Sequence, residues 1–229
     1  MPRRAKRCVV LLSGGIDSAV ALAIAIDQGF VPSAMTFDYG QRHKNELFYA
    51  KRLAKALGVR EHMVIHLDLS FLAKSALTSD RMRVPVDRTL AEISSGVPAT
   101  YVPSRNIVFL SMAAGYAETI GARDIFIGAH TQDYSGYPDC RPEFIETFER
   151  ALALGTRCGT QDAPIKVRAP LIGMSKADII RKGIELDVPF ERTWSCYSGG
   201  RKACGRCDSC KLRLKGFREA GIGDPLPYL

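Results

Sequence analysis

Short apolar runs alternate with helical spacings of apolar residues through the first half of the chain. Residues 7–12 form an apolar run typical of a buried strand, and residues 18–28 follow at helical spacing. The same order continues with strands predicted over 31–39, 61–67 and 124–128, and helices over 45–57 and 107–120. Such alternation with short connections favours a parallel sheet covered by helices on both faces. We therefore predict an α/β fold built on a doubly wound parallel sheet.

The pattern changes after residue 154. A helix is predicted over 143–154, a short strand over 165–168, and helices over 175–186 and 207–220. The cysteine-rich stretch begins just beyond the second of these helices. We therefore predict two parts, a sheet domain over residues 1–186 and a small C-terminal lobe over residues 187–229.

Residues 78–98 show no hydrophobic period and are rich in charged residues, Ser, Gly and Pro. A long irregular segment in a compact domain is often a lid over a binding site or a disordered loop. We predict a lid over a bound nucleotide.

Length and charge limit the possible functions only broadly. The chain has 229 residues and a net charge of +8, which fits anionic partners such as ATP, pyrophosphate, a carboxylate substrate or nucleic acid. Much of the positive charge lies near the C-terminus, at Arg201, Lys202, Arg206, Lys211, Arg213, Lys215 and Arg218. No apolar run approaches the roughly 20 residues of a membrane span, and the basic N-terminus leads into a run too short for a signal peptide. We expect a cytoplasmic protein without a membrane partner.

The first predicted strand leads directly into the loop Ser13-Gly14-Gly15-Ile16-Asp17-Ser18. Its glycines let the backbone approach a ligand closely, and the start of the next helix favours an anion. No Lys follows the glycines, so the loop differs from the phosphate loop of the common NTPases. A glycine turn without a ligand is the alternative. The loop resembles the pyrophosphate loop of the N-type ATP pyrophosphatases, and that resemblance implies an ATP site formed by Leu12, Ser13, Gly14, Gly15, Ile16, Asp17, Ser18, Ala19, Val20, Ala21 and Leu22.

Four of the seven cysteines lie in one short segment, at Cys196, Cys204, Cys207 and Cys210. Four thiolates at this spacing are typical of a closed, structural Zn²⁺ site. An iron–sulfur cluster takes the same ligands, and a redox or sulfur-carrying pair or four free thiols are further alternatives. Zinc is the metal that we expect.

Three further segments carry a more specific resemblance, at residues 101–106, 128–144 and 193–197. Together with the loop and the cysteines they resemble the 7-cyano-7-deazaguanine synthase family over residues 8–211. The resemblance implies an adenine nucleotide alpha hydrolase-like fold with a small zinc-binding lobe. It also implies a ligase that uses ATP with Mg²⁺ and free ammonia to convert 7-carboxy-7-deazaguanine to its nitrile. A homodimer and no nucleic-acid partner are expected on the same ground.

The resemblance also assigns roles to individual residues. Asp17, Ser18, Arg105 and Lys176 are expected to act on the phosphates, with Asp17 acting directly or through Mg²⁺. A solvated lysine is an equal alternative for Lys176. A surface arginine before a helix is the lesser alternative for Arg105. Substrate contacts are expected from Tyr134, Tyr137, Asp139, Arg141 and Glu143, where a carboxylate would accept the N–H groups of the guanine-like edge. A charge at the start of a helix is the alternative for Glu143, and packing in the core is an equal alternative for the tyrosines. No catalytic role is assigned to His130.

Two other functions fit parts of the sequence. A tRNA sulfurtransferase of the same superfamily would use paired cysteines to carry sulfur, and the basic C-terminal segment would suit its substrate. A nucleotide- or tRNA-binding zinc module without catalysis is the second. Formation of AMP from ATP, dependent on ammonia and the deazaguanine acid, separates the ligase from both.

Overall fold

The computed structural model describes residues 6–72, 75–79, 81–130 and 137–229. Five parallel strands form one sheet in the order β3-β2-β1-β4-β5. The strands are β1 (Lys6–Leu11), β2 (Phe30–Asp38), β3 (Glu61–His66), β4 (Asp124–Phe126) and β5 (Lys166–Arg168). The chain runs outward from β1 in one direction and then in the other, which is the doubly wound arrangement. The predicted fold class is confirmed, and the reversal beside β1 marks the edge where such sheets bind ligands.

Eight α-helices lie in the described ranges. They are α1 (Ile16–Asp27), α2 (Asn45–Ala56), α3 (Leu90–Ile93), α4 (Arg105–Ile120), α5 (Pro142–Gly155), α6 (Arg157–Thr160), α7 (Lys176–Glu185) and α8 (Asp208–Ala220). Short 3-10 turns occur at Ser70–Leu72, Pro138–Cys140 and Phe190–Arg192. The first helix begins two residues earlier than predicted because Gly15 is its N-cap. Asp17 and Ser18 therefore lie in its first turn.

The sheet is buried on both faces. One core contains α1 and α7, with Leu22, Leu53 and Ile179 among its fully buried side chains. The opposite core contains α4 and α5, with Leu110 and Ile125 in its centre. Burial of each such side chain stabilises the fold by roughly 1.5–3 kcal/mol. This double cover explains why the central strands β1 and β2 contain buried runs without alternation.

The segment without a hydrophobic period contains α3, a helix that the sequence analysis missed. Thr89 Oγ1 accepts a hydrogen bond from Glu92 N at 3.2 Å, and Thr89 N donates to Glu92 Oε2 at 2.7 Å. This capping box is visible in the sequence, but a helix of four residues is too short to show a period. The segment is attached to the C-terminal part by a bridge between Val86 and Cys207. Its action as a lid stays a prediction.

The C-terminal part has a small apolar cluster of its own but also joins the main core. Trp194, Cys207 and Leu226 belong to the small cluster. Phe217 of α8 instead packs in the core of α1, with its ring 5.4 Å from that of Phe190. The division into domains at residue 186 stays a prediction.

Several of the C-terminal cations make internal contacts. Arg213 is 2% exposed and donates from Nε to Asp224 Oδ2 at 2.7 Å. Arg206 pairs with Asp87, and Lys211 Nζ donates to the carbonyl oxygen of Arg88 at 2.6 Å. Arg213 is therefore a buried structural charge of the lobe, whereas Arg206 and Lys211 contact the segment at residues 87–88. Within the ranges given above, no helix has the length and apolar character needed to cross a membrane.

Candidate active site and metal centre

Hydrogen bonds between Ser13 and Ser18 connect the two ends of the glycine loop. Ser13 N donates to Ser18 Oγ at 3.1 Å, and the two hydroxyl oxygens are 3.0 Å apart. Ser18 Oγ also donates to the carbonyl oxygen of Gly15 at 3.1 Å. The loop thus leads directly into the N-terminus of α1, where backbone N–H groups and the helix dipole favour an anion.

Two glycines in this region are required by close backbone contacts. Gly14 has a φ of +86°, and a Cβ there would lie 2.4 Å from the carbonyl oxygen of Glu46. A Cβ on Gly128, which follows β4, would lie 2.7 Å from the carbonyl carbon of Asp17. Only glycine fits either position, so α2 and the loop after β4 both pack against the loop backbone.

Asp17, Lys176 and His130 form a cluster at the start of α1. Lys176 Nζ donates to Asp17 Oδ1 at 2.6 Å, and His130 Nε2 lies 3.0 Å from Lys176 Nζ and 3.5 Å from Asp17 Oδ2. Burial by itself raises the pKa of Asp17, but the nearby Lys176 and His130 outweigh it and hold that pKa below its ordinary value. Asp17 therefore stays ionised, and Lys176 is a buried partner rather than a solvated side chain.

Sequence reasoning gave His130 no role, yet its ring lines the same cavity as Asp17 and Lys176. Its position at the end of β4 was the available signal, because the carboxyl ends of parallel strands meet at one edge. A lone histidine in such a loop does not show by itself whether its side chain enters the site or packs elsewhere.

A cavity of about 310 Å³ opens in front of the loop. Its lining includes Ser13, Gly15, Asp17, Ser18 and Lys176. The lining also includes Met35, Phe37, Tyr39, Phe109, Arg105, Tyr137 and Tyr197. The lining therefore combines the glycine loop with aromatic side chains and a few polar or charged groups, which is typical of a small-molecule site.

Arg105 begins α4, lines the cavity and lies against the ring of Tyr137. Its guanidinium carbon lies 5.8 Å from the centre of the Tyr137 ring, at a distance that fits a cation–π contact. Burial lowers the pKa of Arg105, but Tyr39 and Tyr137 outweigh this and leave the pKa above its ordinary value. The guanidinium is thus a fixed positive charge on the cavity wall.

The residues predicted to contact the substrate are not all on this cavity. Tyr137 lines it, whereas Arg141 and Glu143 are exposed and lie outside the lining. Asp139 is buried and accepts a hydrogen bond from Asn106 N at 3.0 Å, so its carboxylate holds the first turn of α4. Tyr134 lies outside the described residues.

The residues predicted to bind ATP also divide into some that line the cavity and some that do not. Leu12, Ser13, Gly15, Ile16, Asp17 and Ser18 line the cavity. The four that follow are fully buried in the hydrophobic core and support the helix: Ala19, Val20, Ala21 and Leu22. Gly14 supplies the turn and the close contact with α2.

The four clustered cysteines converge on one point. Their Sγ atoms all lie within 4.8 Å of one another. With the usual zinc–sulfur bond length, four thiolate sulfurs arranged tetrahedrally around one Zn²⁺ would be separated from each other by about 3.8 Å. Cys196 Sγ accepts hydrogen bonds from the backbone N–H of Ser198 at 3.4 Å and of Cys204 at 3.3 Å. Such donors favour thiolates. The cluster could hold a metal ion.

The cysteine lobe is joined to the glycine loop through Trp194. Its backbone N donates to the carbonyl oxygen of Gly14 at 2.8 Å, and its indole Nε1 donates to the carbonyl oxygen of Cys196 at 2.8 Å. The Trp194 ring also stacks on Tyr49 of α2, with centroids 5.3 Å apart. The geometry of the cluster and that of the loop are therefore physically connected.

A family model described as "Queuosine biosynthesis protein QueC" matches residues 7–221. The chain belongs to the QueC family. It is 56% identical over 223 residues to a 7-cyano-7-deazaguanine synthase from Thermoplasma acidophilum, covering 97% of this chain and 92% of the relative. It is 51% identical over 230 residues to one from Pseudomonas syringae pv. tomato, covering 100% of both chains. The resemblance read from the motifs is confirmed.

A solved structure supports the fold. The chain is similar to a 4-thiouridine synthetase in complex with RNA and bound ATP, with a TM-score of 0.53 and 19% identity over 94% of this chain and 50% of the other. A similarity at this identity shows a shared architecture. It agrees with the parallel sheet and the loop position described above.

Proposed function

We propose that this chain is a 7-cyano-7-deazaguanine synthase, a carbon–nitrogen ligase that makes a precursor of queuosine and archaeosine. Its substrates are 7-carboxy-7-deazaguanine, ammonia and ATP. The observation that carries the proposal is the cavity that joins the glycine loop to an aromatic wall, in a chain whose relatives bear that name.

The reaction consists of two activations. A carboxylate oxygen attacks the α-phosphorus of ATP, the bond to pyrophosphate breaks, and ammonia then displaces AMP to give the amide. The amide oxygen attacks a second ATP in the same way, and loss of AMP with two protons leaves the nitrile. Each cycle thus converts two ATP to two AMP and two pyrophosphates. Adenylation is needed because hydroxide is a poor leaving group.

The described residues can supply the electrostatics of both activations. The loop N–H groups and the hydroxyls of Ser13 and Ser18 bind the leaving pyrophosphate. Lys176 and Arg105 offset the negative charge that develops in the transition state. Asp17, ionised and at the cavity wall, would hold Mg²⁺, whose charge assists the departure of pyrophosphate. Tyr137 contributes an aromatic face for the base.

The cysteine site is proposed to hold one structural Zn²⁺. Support comes from the distances within the cluster, because a multi-iron cluster binds its thiolates to different irons and holds them farther apart. Four protein ligands leave no open position, so the metal stabilises the lobe without acting on substrate. The same convergence favours the ligase over a sulfurtransferase, which needs a free cysteine pair.

Two further proposals concern the setting of the enzyme. We propose a cytoplasmic location, since the substrate is ATP and the seven cysteines of the chain form no disulfide. We also propose a homodimer, on the family resemblance alone. Light scattering of the purified protein tests the second proposal, and a monomer mass would contradict it.

The direct test incubates purified protein with ATP, Mg²⁺, ammonium and 7-carboxy-7-deazaguanine, with products followed by mass spectrometry. We expect the nitrile, with AMP and pyrophosphate formed in equal amounts. A Ser18→Ala variant should lose most of this turnover, whereas Ser111→Ala, on the exposed side of α4, should not. Release of ADP and orthophosphate, or turnover only with tRNA and a sulfur donor, would refute the proposal.

A further inference from the structure

Three carboxylates line the large cavity among the described residues, and one of them lacks a hydrogen-bond donor. Asp17 is bonded to Lys176 at 2.6 Å, and Asp208 accepts from Arg88 Nε at 3.1 Å. Glu46 accepts no hydrogen bond from any residue in the described ranges. It is the carboxylate on this wall that is available to a ligand.

The backbone of Glu46 is fixed by helix α2 and by its close contact with Gly14. It lies in the first turn of α2, and its carbonyl oxygen occupies the space that a Cβ on Gly14 would need. The residue also lines a smaller adjoining cavity of about 20 Å³ together with Tyr39, Trp194 and Tyr197. The carboxylate is therefore placed between the pyrophosphate loop and a group of aromatic side chains.

The surroundings of Glu46 disfavour an unpaired charge. Burial raises its pKa to about 7, although the Arg105 guanidinium opposes the shift. A desolvated carboxylate without donors is costly, and a ligand that supplies two N–H groups would remove that cost. The missing partner is thus a hydrogen-bond donor rather than another acceptor.

The proposed substrate carries such donors. A guanine-type ring presents a ring N–H and an exocyclic amino group side by side on its pairing edge, and the two oxygens of one carboxylate can accept both. We propose that Glu46 binds the pairing edge of the deazaguanine and sets its specificity. This inference rests on the proposed function, and it transfers to Glu46 the task that the sequence analysis gave to Asp139 or Glu143.

Neighbouring residues favour this ligand over ammonium, the other donor in the reaction. Arg105 lies close enough to Glu46 to affect its pKa, and its positive charge repels a cation. A neutral heterocycle meets no such repulsion, and its faces can pack against rings of the cavity such as Tyr137 and Phe109.

The test compares Glu46→Gln with the wild type and measures KM and kcat for the deazaguanine acid and for ammonia separately. Glutamine keeps the shape but presents an amide N–H to the donors of the base. We expect KM for the acid to rise about 10- to 100-fold, since hydrogen bonds to a charged group are lost, with KM for ammonia unchanged. Glu146→Gln, an exposed change on α5, is the matched control. A rise confined to ammonia, or no change in KM for the acid, would overturn the proposal.

A binding measurement separates this inference from the proposed function. Calorimetry with 7-deazaguanine and 7-deazahypoxanthine, which lacks the amino group, needs no ATP and no turnover. The wild type should bind the first about tenfold more tightly, because a carboxylate loses one partner with the second. Equal binding of the two by the folded wild type would overturn the role of Glu46, whereas absence of nitrile formation would overturn the proposed function alone.

Discussion

Lys176 Nζ lies 2.6 Å from Asp17 Oδ1, although the two residues are 159 positions apart in the chain. The contact joins the first turn of α7 to the first turn of α1 at the edge where the loops of the sheet meet. It holds a cation next to the loop that we assign to pyrophosphate. This relationship connects the fold to the proposed chemistry more directly than any other.

Removal of the Lys176 charge should affect catalysis more than substrate binding. We expect Lys176→Met to lower kcat by roughly 10²–10³, the usual loss when one preorganised group that stabilises transition-state charge is removed. Steady-state kinetics with saturating ATP measures the effect. Lys182→Met, on the same helix and paired with Glu185 at the surface, should stay within a factor of two or so of the wild type, and an equal loss in both variants would refute the assignment.

His130 should act as a positioning residue through its contact with Lys176 at 3.0 Å. We expect His130→Ala to lower kcat by about tenfold, because the ammonium loses a neighbour that orients it. His130→Gln, which keeps a polar group near that position, should recover part of the loss. If both variants match the wild type, the original assignment of no role to His130 is correct.

The close contact at Gly14 makes a prediction with a matched control. Gly14 and Gly29 both have a positive φ, of +86° and +78°, but a Cβ on Gly29 would meet no atom within 4 Å. Gly29→Ala should therefore lower the free energy of unfolding only by the roughly 1–2 kcal/mol that a left-handed backbone conformation costs a residue with a Cβ. Gly14→Ala should cost more and also weaken ATP binding, because α2 must move. Denaturant unfolding and calorimetry measure both, and equal effects would contradict the packing argument.

The metal site should determine the stability of the lobe. We expect about one equivalent of zinc in the purified protein. Cys204→Ser should lose this metal, and the free energy of unfolding should decrease by a few kcal/mol. In a domain of this size, that decrease lowers Tm by about 10 °C. ATP binding should weaken as well, through the contact of Trp194 with Gly14. Cys158→Ser, outside the cluster, should keep its metal. A cluster that holds iron, or no metal, would show that the zinc assignment is wrong.

Glu46 should also make the free protein less stable as pH rises. Its pKa is raised from 4.5 to about 7 on folding, so the folded state binds an extra proton between these values and the free energy of unfolding decreases with pH across that interval. Arg105, Tyr39 and Tyr197, which interact electrostatically with Glu46, keep their charge states in that interval. Wild type should therefore lose more stability than Glu46→Gln between about pH 5 and pH 8. Parallel pH profiles for the two proteins would contradict the burial of the carboxylate.

The match between sequence and structure is good where the signal is local. The positions of the apolar strands, the loop before α1 and the convergence of the four cysteines each depend on residues close together in the chain. Each was predicted close to where the structure has it. The helix α3 was missed because four residues cannot show a period, although Thr89 and Glu92 carried a capping signal. The charge of Arg213 looked available to an anionic partner, yet its guanidinium is buried against Asp224.

The sequence by itself determined the α/β class, the family and the positions of the glycine loop and of the four clustered cysteines, because turns, periodicity and residue spacing are set within a few residues. Only the tertiary structure decided which side chains share the cavity. It placed Lys176 and His130 beside Asp17 and turned Asp139 towards α4, and among the described residues it left Glu46 on the cavity wall without a donor. Those outcomes depend on the order of strands in the sheet and on the close contact of α2 with Gly14, which bring together residues far apart in the chain.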